Sequence, residues 1–257
     1  MPGRPDTVTG VAHSGAGRMR GVRILMPLPD SDFDVTEVAV PWRLLTDAGH
    51  QVVFATERAG VRPAADPRLL SGVIFGQLGA EPEPKRFYDE LTADPGFAAT
   101  VAWEAVQPSE YDGLILAGGH APGMRQYLDS AVLRTKVAEF WRLERPVGAI
   151  CHGVIVLARA GVLAERRTTC LPKYMERMAY YATAWKLGRY YRTYPAYVED
   201  EVRATGARFS RGPISTVRGT ATDDGPAFAV QDGNYLSARW PGDAYLFARR
   251  FDRLLTT

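Results

Sequence analysis

The sequence predicts an α/β fold, a flavodoxin-like, doubly wound and mostly parallel sheet, and three observations carry that reading. Short apolar runs alternate with stretches of helical periodicity, the pattern of strands joined by crossover helices. Two of the runs end in small-residue turns, Gly118-Gly119-His120 and Cys151-His152-Gly153. Such turns at the carboxyl ends of strands are where an open α/β sheet binds its ligands. Composition is the third: 257 residues, 46% hydrophobic and 23% charged, are ordinary globular usage and enough to bury one large core.

In chain order, residues 1–20 are rich in Gly, Pro, Ser and Thr, lack periodicity and read as a disordered tail, with Met19 as an alternative start. Residues 21–257 read as one domain. A buried strand at 22–26, a helix at 35–48 closed by Gly49 and a second strand at 52–55 make a βαβ opening. Residues 62–110 lose this rhythm, with Pro63, Pro67, Pro82, Pro84 and Pro95 among aromatic Phe75, Phe87, Tyr88 and Trp103, and read as a lid-like excursion beside the sheet. A strand at 111–117, a helix near 132–143 and a strand ending at Ile150 restore it.

Residues 175–191 are helical and aromatic, with Tyr180, Tyr181, Trp185, Tyr190 and Tyr191. Aromatic clusters at this spacing form core, or else wall a pocket. A pocket so walled offers more apolar contact than a three-carbon aldehyde can use, which favours a larger substrate. A short acidic helix at 198–205, a hairpin of 228–231 and 235–238 around Asp232-Gly233-Asn234, and an amphipathic helix at 244–255 complete the chain.

Charge and cysteine usage narrow the function. With 31 Lys and Arg against 29 Asp and Glu, there is no electrostatic case for nucleic acid or an anionic membrane, and small, weakly charged ligands fit better. The two cysteines, Cys151 and Cys170, have no Cys-x-x-Cys spacing, and the four histidines show no His-x-x-x-His, so neither a disulfide framework nor a metal site is expected. No apolar run has membrane length and no signal core is present, so a reducing cytoplasm is the expected compartment.

The run Val147 to Gly153 has the form of a nucleophile elbow. A sharp strand-to-helix turn lifts Cys151 above the sheet edge, and small Ala149 and Gly153 let the backbone cross itself. A helix N-terminus favours the thiolate there, and neighbouring backbone N–H groups face any oxyanion formed by attack on a carbonyl. Cys151 is therefore expected to have a lowered pKa and to react faster than Cys170. Asp34-x-x-Glu37 reads as a capping box at the start of the first helix.

Several of these segments together resemble one family. They are Asp-Phe-Asp-Val-Thr-Glu-Val-Ala-Val-Pro (32–41), Ala-Gly-His-Gln-Val (48–52), Leu-Ala-Gly-Gly-His (116–120) and Ala-Ile-Cys-His-Gly (149–153). The family is the ThiJ/PfpI superfamily of class I glutamine amidotransferase-like proteins. Residues 194–202, 232–234 and 237–239 are most similar to its heat-shock chaperone and glyoxalase III branch, although Ser237 to Gly242 depart from the Thr-Gly-x-Asn-Pro type ending usual there.

The resemblance implies a catalytic Glu37, four residues before Pro41, whose carboxyl contacts Cys151 and moves protons. It also implies His152 as a triad member, an oxyanion hole from the N–H groups of His152 and Gly119, and a pocket touched by Gly118 and His120. Alignment through Thr168-Thr169-Cys170 points to Glu176 as the third acid, with Glu165 and the run Glu199-Asp200-Glu201 as competitors. The implied activity is cofactor-independent conversion of a 2-oxoaldehyde to a 2-hydroxy acid through a Cys151 adduct, by a homodimer. Alternatives are cysteine-dependent hydrolysis, hydration or cleavage of a larger amide, isonitrile or C–N metabolite, and a stress chaperone or redox sensor. Glutamine amidotransfer fits poorly, because no synthetase domain accompanies the chain and the histidine adjoins the cysteine.

Overall fold

The computed structural model describes residues 21–74 and 78–256. The tail reading for residues 1–20, Met19 included, and Phe75 of the excursion lie outside the described residues. The central sheet has seven strands: β1 (Arg23–Pro27), β2 (Gln51–Thr56), β3 (Val101–Ala102), β4 (Gly113–Leu116), β5 (Val147–Ile150), β6 (Ala229–Asp232) and β7 (Tyr235–Ala238). Their spatial order is β6-β7-β5-β4-β1-β2-β3, and every neighbouring pair is parallel except the β6–β7 hairpin. The order reverses between β1 and β4, so the crevice of a doubly wound sheet opens where the chain leaves these two strands.

The principal helices are α1 (Val35–Asp47), α2 (Pro82–Ala93), α3 (Ala131–Trp141), α4 (Val154–Arg159), α5 (Lys173–Leu187), α6 (Val198–Ala204) and α7 (Ala244–Leu255). Helices cover both faces of the sheet, which is why its inner strands are continuous apolar runs rather than alternating ones. Within these layers α1 packs on α2 and α7, and α4 packs on α3 and α6. Phe247 and Phe251 of α7 lie directly over Gly148, and Phe251 also covers Gly113.

Two expectations change on folding. Much of the 62–110 stretch is built into the body: β3 extends the sheet edge, and Phe87, Tyr88, Leu91, Phe97 and Trp103 are buried. Prolines at helix starts, where a missing N–H costs nothing, explain how so broken a sequence still packs. The aromatic helix, conversely, is not a core element. Tyr181 and Trp185 of α5 are exposed, at 66% and 70%, while Tyr190 and Tyr194 beyond it are buried. Only one side of α5 is covered, so helical spacing alone overstated its burial.

The elbow depends on a close crossing. A Cβ on Gly153 would lie 2.1 Å from the Leu116 carbonyl oxygen, so glycine alone allows the turn after β5 to pass β4. Beyond β7 the chain is pinned by a fully buried ion pair in which Arg239 Nε and Nη2 donate to Asp243 at 2.8 and 2.9 Å. Arg239 Nη1 also donates to the Pro213 carbonyl at 2.7 Å, and Asp243 accepts the Phe228 N–H at 2.9 Å, which ties the 210–228 segment to the end of the sheet.

Breaking this pair leaves a buried charge without its partner. Arg239→Met is expected to destabilise the fold by about 3–5 kcal/mol in urea denaturation. Asp243→Asn is expected to do the same, and the double variant to lose clearly less than the sum of the two. Strict additivity would show that the pair does not act as a unit.

Candidate active site

Four segments meet at the carboxyl edge of the sheet: the start of α1 after β1, the 117–121 turn after β4, the elbow after β5 and residues 239–243 after β7. Cys151 holds a left-handed backbone conformation, φ +57°, unusual for a residue with a side chain. Such strain costs about 1–3 kcal/mol and persists only where its surroundings enforce it. Its side chain is 5% exposed and opens on a cavity of about 510 Å³. Cys170 is fully buried and does not line that cavity.

Glu37 is fully buried in the first turn of α1. Its Oε2 accepts the Gly118 N–H at 2.8 Å, Oε1 has no nitrogen or oxygen partner, and the carboxyl group meets the Cys151 thiol. Gly118 makes this approach possible. A Cβ there would lie 2.7 Å from the His152 amide nitrogen, 2.8 Å from Glu37 Oε2 and 3.0 Å from Cys151 Cβ. The capping-box reading of this segment is half realised. Asp34 caps α1, accepting from the N–H groups of Thr36 at 2.8 Å and Glu37 at 3.1 Å. The return arm is absent, because the Asp34 N–H is taken by the Gly118 carbonyl at 2.9 Å and the Glu37 side chain turns instead to the Gly118 N–H.

Burial, then the neighbouring Asp34 charge, pushes the Glu37 pKa well above the usual carboxylate range, which shifts its carboxyl group toward the protonated form. Asp34 itself is raised to about 6, chiefly by burial. The expected depression of the Cys151 pKa is not found. Burial first, then the charges of Glu37 and Asp34, raise it well above that of an ordinary thiol, and the His152 backbone N–H opposes them only in part. The reason is local: α4 has six residues, and its short dipole does not offset desolvation beside two carboxyl groups.

His152 Nδ1 lies 3.3 Å from Cys151 Sγ. Burial lowers the His152 pKa to about 3, so the ring is neutral. It packs against Tyr194 at 5.3 Å between centroids, and the Tyr194 hydroxyl donates to the Ala121 carbonyl at 3.2 Å. The His152 N–H is directed at the sulfur, and Gly119 stands in the wall of the same cavity. His120 is stacked on Tyr191 at 4.3 Å and 17°, and its pKa is likewise lowered to about 3 by burial.

Glu176 does not join His152. Its carboxylate accepts the Val198 N–H at 3.0 Å and faces Arg192 at 3.8 Å, and burial raises its pKa to about 7, though it does line the cavity. The competitors are engaged elsewhere: Glu165 with Arg208, Glu199 with Arg203 and Arg211, Asp200 with Lys173, and Glu201 with Arg159. Among the described residues no carboxylate hydrogen-bonds the imidazole of His152, and the groups brought together at the elbow are Cys151, Glu37 and His152. No group of three metal-ligating side chains occurs among the described residues either.

Sequence reasoning missed Asp34 as a charged neighbour of the thiol, Tyr194 as the packing partner of His152, and Arg218 and Trp240 as cavity residues. Trp240 was within reach, since it follows a predicted strand at the sheet's ligand-binding edge. Arg218 lies in a 210–228 segment with no periodic signal. The rest of the wall comes largely from one side of α5, through Met175, Met178, Ala179 and Ala182.

Comparison with known proteins gives a consistent picture. The ThiJ/PfpI family-like description matches residues 28–213. An uncharacterized protein of Schizosaccharomyces pombe, C14C4.04, is 30% identical over 72% of this chain and 72% of its own. A deglycase of Pyrococcus abyssi is 28% identical over 91% of this chain and 99% of its own. The glyoxalase III structure from Candida albicans superposes with a TM-score of 0.67 at 17% identity, covering 91% of this chain and 97% of that one, a likeness of fold. With its sheet, its elbow and this match in hand, the chain belongs to the ThiJ/PfpI-like family.

Proposed function

We propose that this protein is a cofactor-independent cysteine enzyme that converts 2-oxoaldehydes to 2-hydroxy acids. The observation that carries the reading is the Glu37 carboxyl against the Cys151 thiol at the floor of the cavity, with neutral His152 3.3 Å from the sulfur. Family members named deglycase and glyoxalase III support it.

The chemistry balances without an external reagent other than water. Cys151 sulfur bonds to the aldehyde carbon, and the thiol proton passes through Glu37 or His152 to the former carbonyl oxygen, giving a neutral thiohemiacetal. The same groups take the proton from that carbon, and an enediol forms. Reprotonation at the adjacent carbon leaves a thioester, which water hydrolyses to the 2-hydroxy acid and free Cys151. The His152 N–H, with that of Gly119, would donate to the former carbonyl oxygen while the C–S bond forms. In a desolvated site a sequence of net-neutral proton transfers avoids building up charge.

A cavity of about 510 Å³, lined by Leu69, Leu171 and Met175, favours a second reading within the same chemistry, in which the carbonyl compound carries a bulky apolar group. Phenylglyoxal is therefore expected to have a higher kcat/KM than methylglyoxal. Cys151→Ala should abolish turnover of both. Turnover that survives it removes the covalent mechanism, and aggregation suppression without any turnover would leave the chaperone alternative.

Glu37→Gln is expected to lower kcat by about 10²–10⁴-fold, the usual contribution of a placed acid/base group. Melting temperature should hardly change, since the helix cap belongs to Asp34. Asp34→Ala should show the complementary pattern in stability, losing about 1 kcal/mol with the cap. Equal stability losses in the two variants would return Glu37 to a structural role.

Iodoacetamide mapping should label Cys151 before Cys170 because Cys151 opens on the cavity. Its raised pKa makes the rate climb through pH 9 without a plateau, since the thiolate fraction grows tenfold per pH unit below the pKa. A plateau below pH 8 would show that the elbow does lower the thiol pKa.

A further inference from the structure

A second cavity, of about 590 Å³, is lined by Asp32 from the loop after β1 and by Ala121, Pro122 and Arg125 from the loop after β4. The strand order reverses at these two strands, the position where doubly wound sheets take up ligands. The two loops are tied to each other: Asp32 Oδ2 accepts the Gly123 N–H at 2.7 Å, and the Gln126 side chain accepts the Asp30 N–H at 2.7 Å. A further wall is the 187–193 segment that follows α5, and it lies between this cleft and the cavity of Cys151. Tyr190 lines the cleft, and Tyr191 lines the cavity.

The charged side chains of the cleft are Arg68, Arg125, Arg189 and Arg192, against Asp32 and Asp66. Asp66 is buried and accepts the Arg68 N–H at 2.9 Å and the Tyr190 hydroxyl, while Asp32 is engaged by Gly123. Arg192 is held within the wall, 3.8 Å from Glu176 and 3.7 Å over the Tyr197 ring. The other arginines are exposed, and none of them forms an ion pair with an acid among the described residues. Arg68 lies over the Tyr190 ring at 5.3 Å, Arg125 donates to the Thr193 carbonyl, and the Arg189 side chain has no partner among the described residues. In the hollow that continues past Arg125 and Arg189, Asp129 is paired with Arg159, which also binds Glu201. The near-balance of 31 Lys and Arg against 29 Asp and Glu in the whole chain thus conceals a local excess of positive charge.

A cleft lined mainly by one sign of charge focuses its field on an ion of the other sign. Guanidinium groups suit phosphate oxygens in particular, because each planar fork donates two parallel hydrogen bonds. We propose that this cleft binds a phosphate monoester, with the phosphate held by Arg68, Arg125 and Arg189 and the organic body resting on Tyr190, Leu187 and Pro122. A monoester carries close to two negative charges at neutral pH, which matches several unpaired arginines better than a single carboxylate does. The organic body follows from the apolar residues of the same walls. Cys151 does not line the cleft, so the site is independent of the cysteine chemistry.

The test is calorimetric titration at low ionic strength with phenyl phosphate, and with inorganic phosphate as the probe that has no body. Phenyl phosphate should bind saturably and at least about fivefold more tightly than inorganic phosphate, which lacks the apolar contact. Arg189→Gln removes a side chain that holds nothing else in place, so the melting temperature should stay unchanged while the Kd for phenyl phosphate rises about tenfold. Arg68→Gln should weaken binding in the same direction. Arg218→Gln in the neighbouring cavity, and Cys151→Ala, should each leave that Kd within about twofold. The proposal is overturned if phenyl phosphate shows no saturable binding, if inorganic phosphate binds as tightly, if Arg189→Gln and Arg68→Gln both keep the original Kd, or if Arg218→Gln weakens binding as much as they do. Absence of phenylglyoxal turnover by the unmodified protein, with this binding pattern intact, would overturn thiol addition alone and leave the cleft assignment standing.

Discussion

Two acidic groups, the Glu37 carboxyl and the Cys151 thiol, are held together out of water, and the carboxyl edge of the sheet is arranged around that contact. Neither anion is solvated there, so each keeps its proton more tightly than it would in solution. Their meeting requires α1, the 118–119 turn and the elbow to converge within a few ångströms, which the bare backbone of Gly118 permits. The Gly118 peptide then serves both sides of the junction: its N–H satisfies Glu37, and its carbonyl satisfies the N–H of Asp34. Pro41, one turn further along α1, has no N–H for the Glu37 carbonyl, so the helix is weakened just where Glu37 stands.

Desolvation sets the character of the whole cavity. Asp34, Glu37 and Glu176 are displaced toward their neutral forms, as are His120 and His152, all chiefly by burial. Such a site does not rely on a preformed thiolate–imidazolium pair. In the reaction proposed above, protons would pass between neutral partners.

The far wall has a different physical basis. Arg239 and Asp243 are accommodated in the interior because they pair bidentately and because backbone groups take up their remaining hydrogen-bonding capacity. This pair carries Trp240 between its members and reaches the 210–228 segment, which brings Arg218. The stretch that departs from the ending usual in the heat-shock chaperone and glyoxalase III branch thus supplies two residues of the cavity wall, Trp240 and Pro241.

The sequence by itself determined the sheet and its helices, because apolar period and turn residues are local signals: the βαβ opening, the elbow strand, the closing hairpin and α7 all lie where the pattern placed them. It also marked Cys151 and Glu37, since a small-residue turn after a strand and a motif spacing are both visible in one dimension. Only the tertiary structure decided the protonation of the thiol, the separation of Glu176 from His152, the outward face of α5 and the burial of the 62–110 aromatics. Each depends on which groups meet across the fold and how much water they lose on meeting, and neither quantity is encoded in the spacing of residues along the chain.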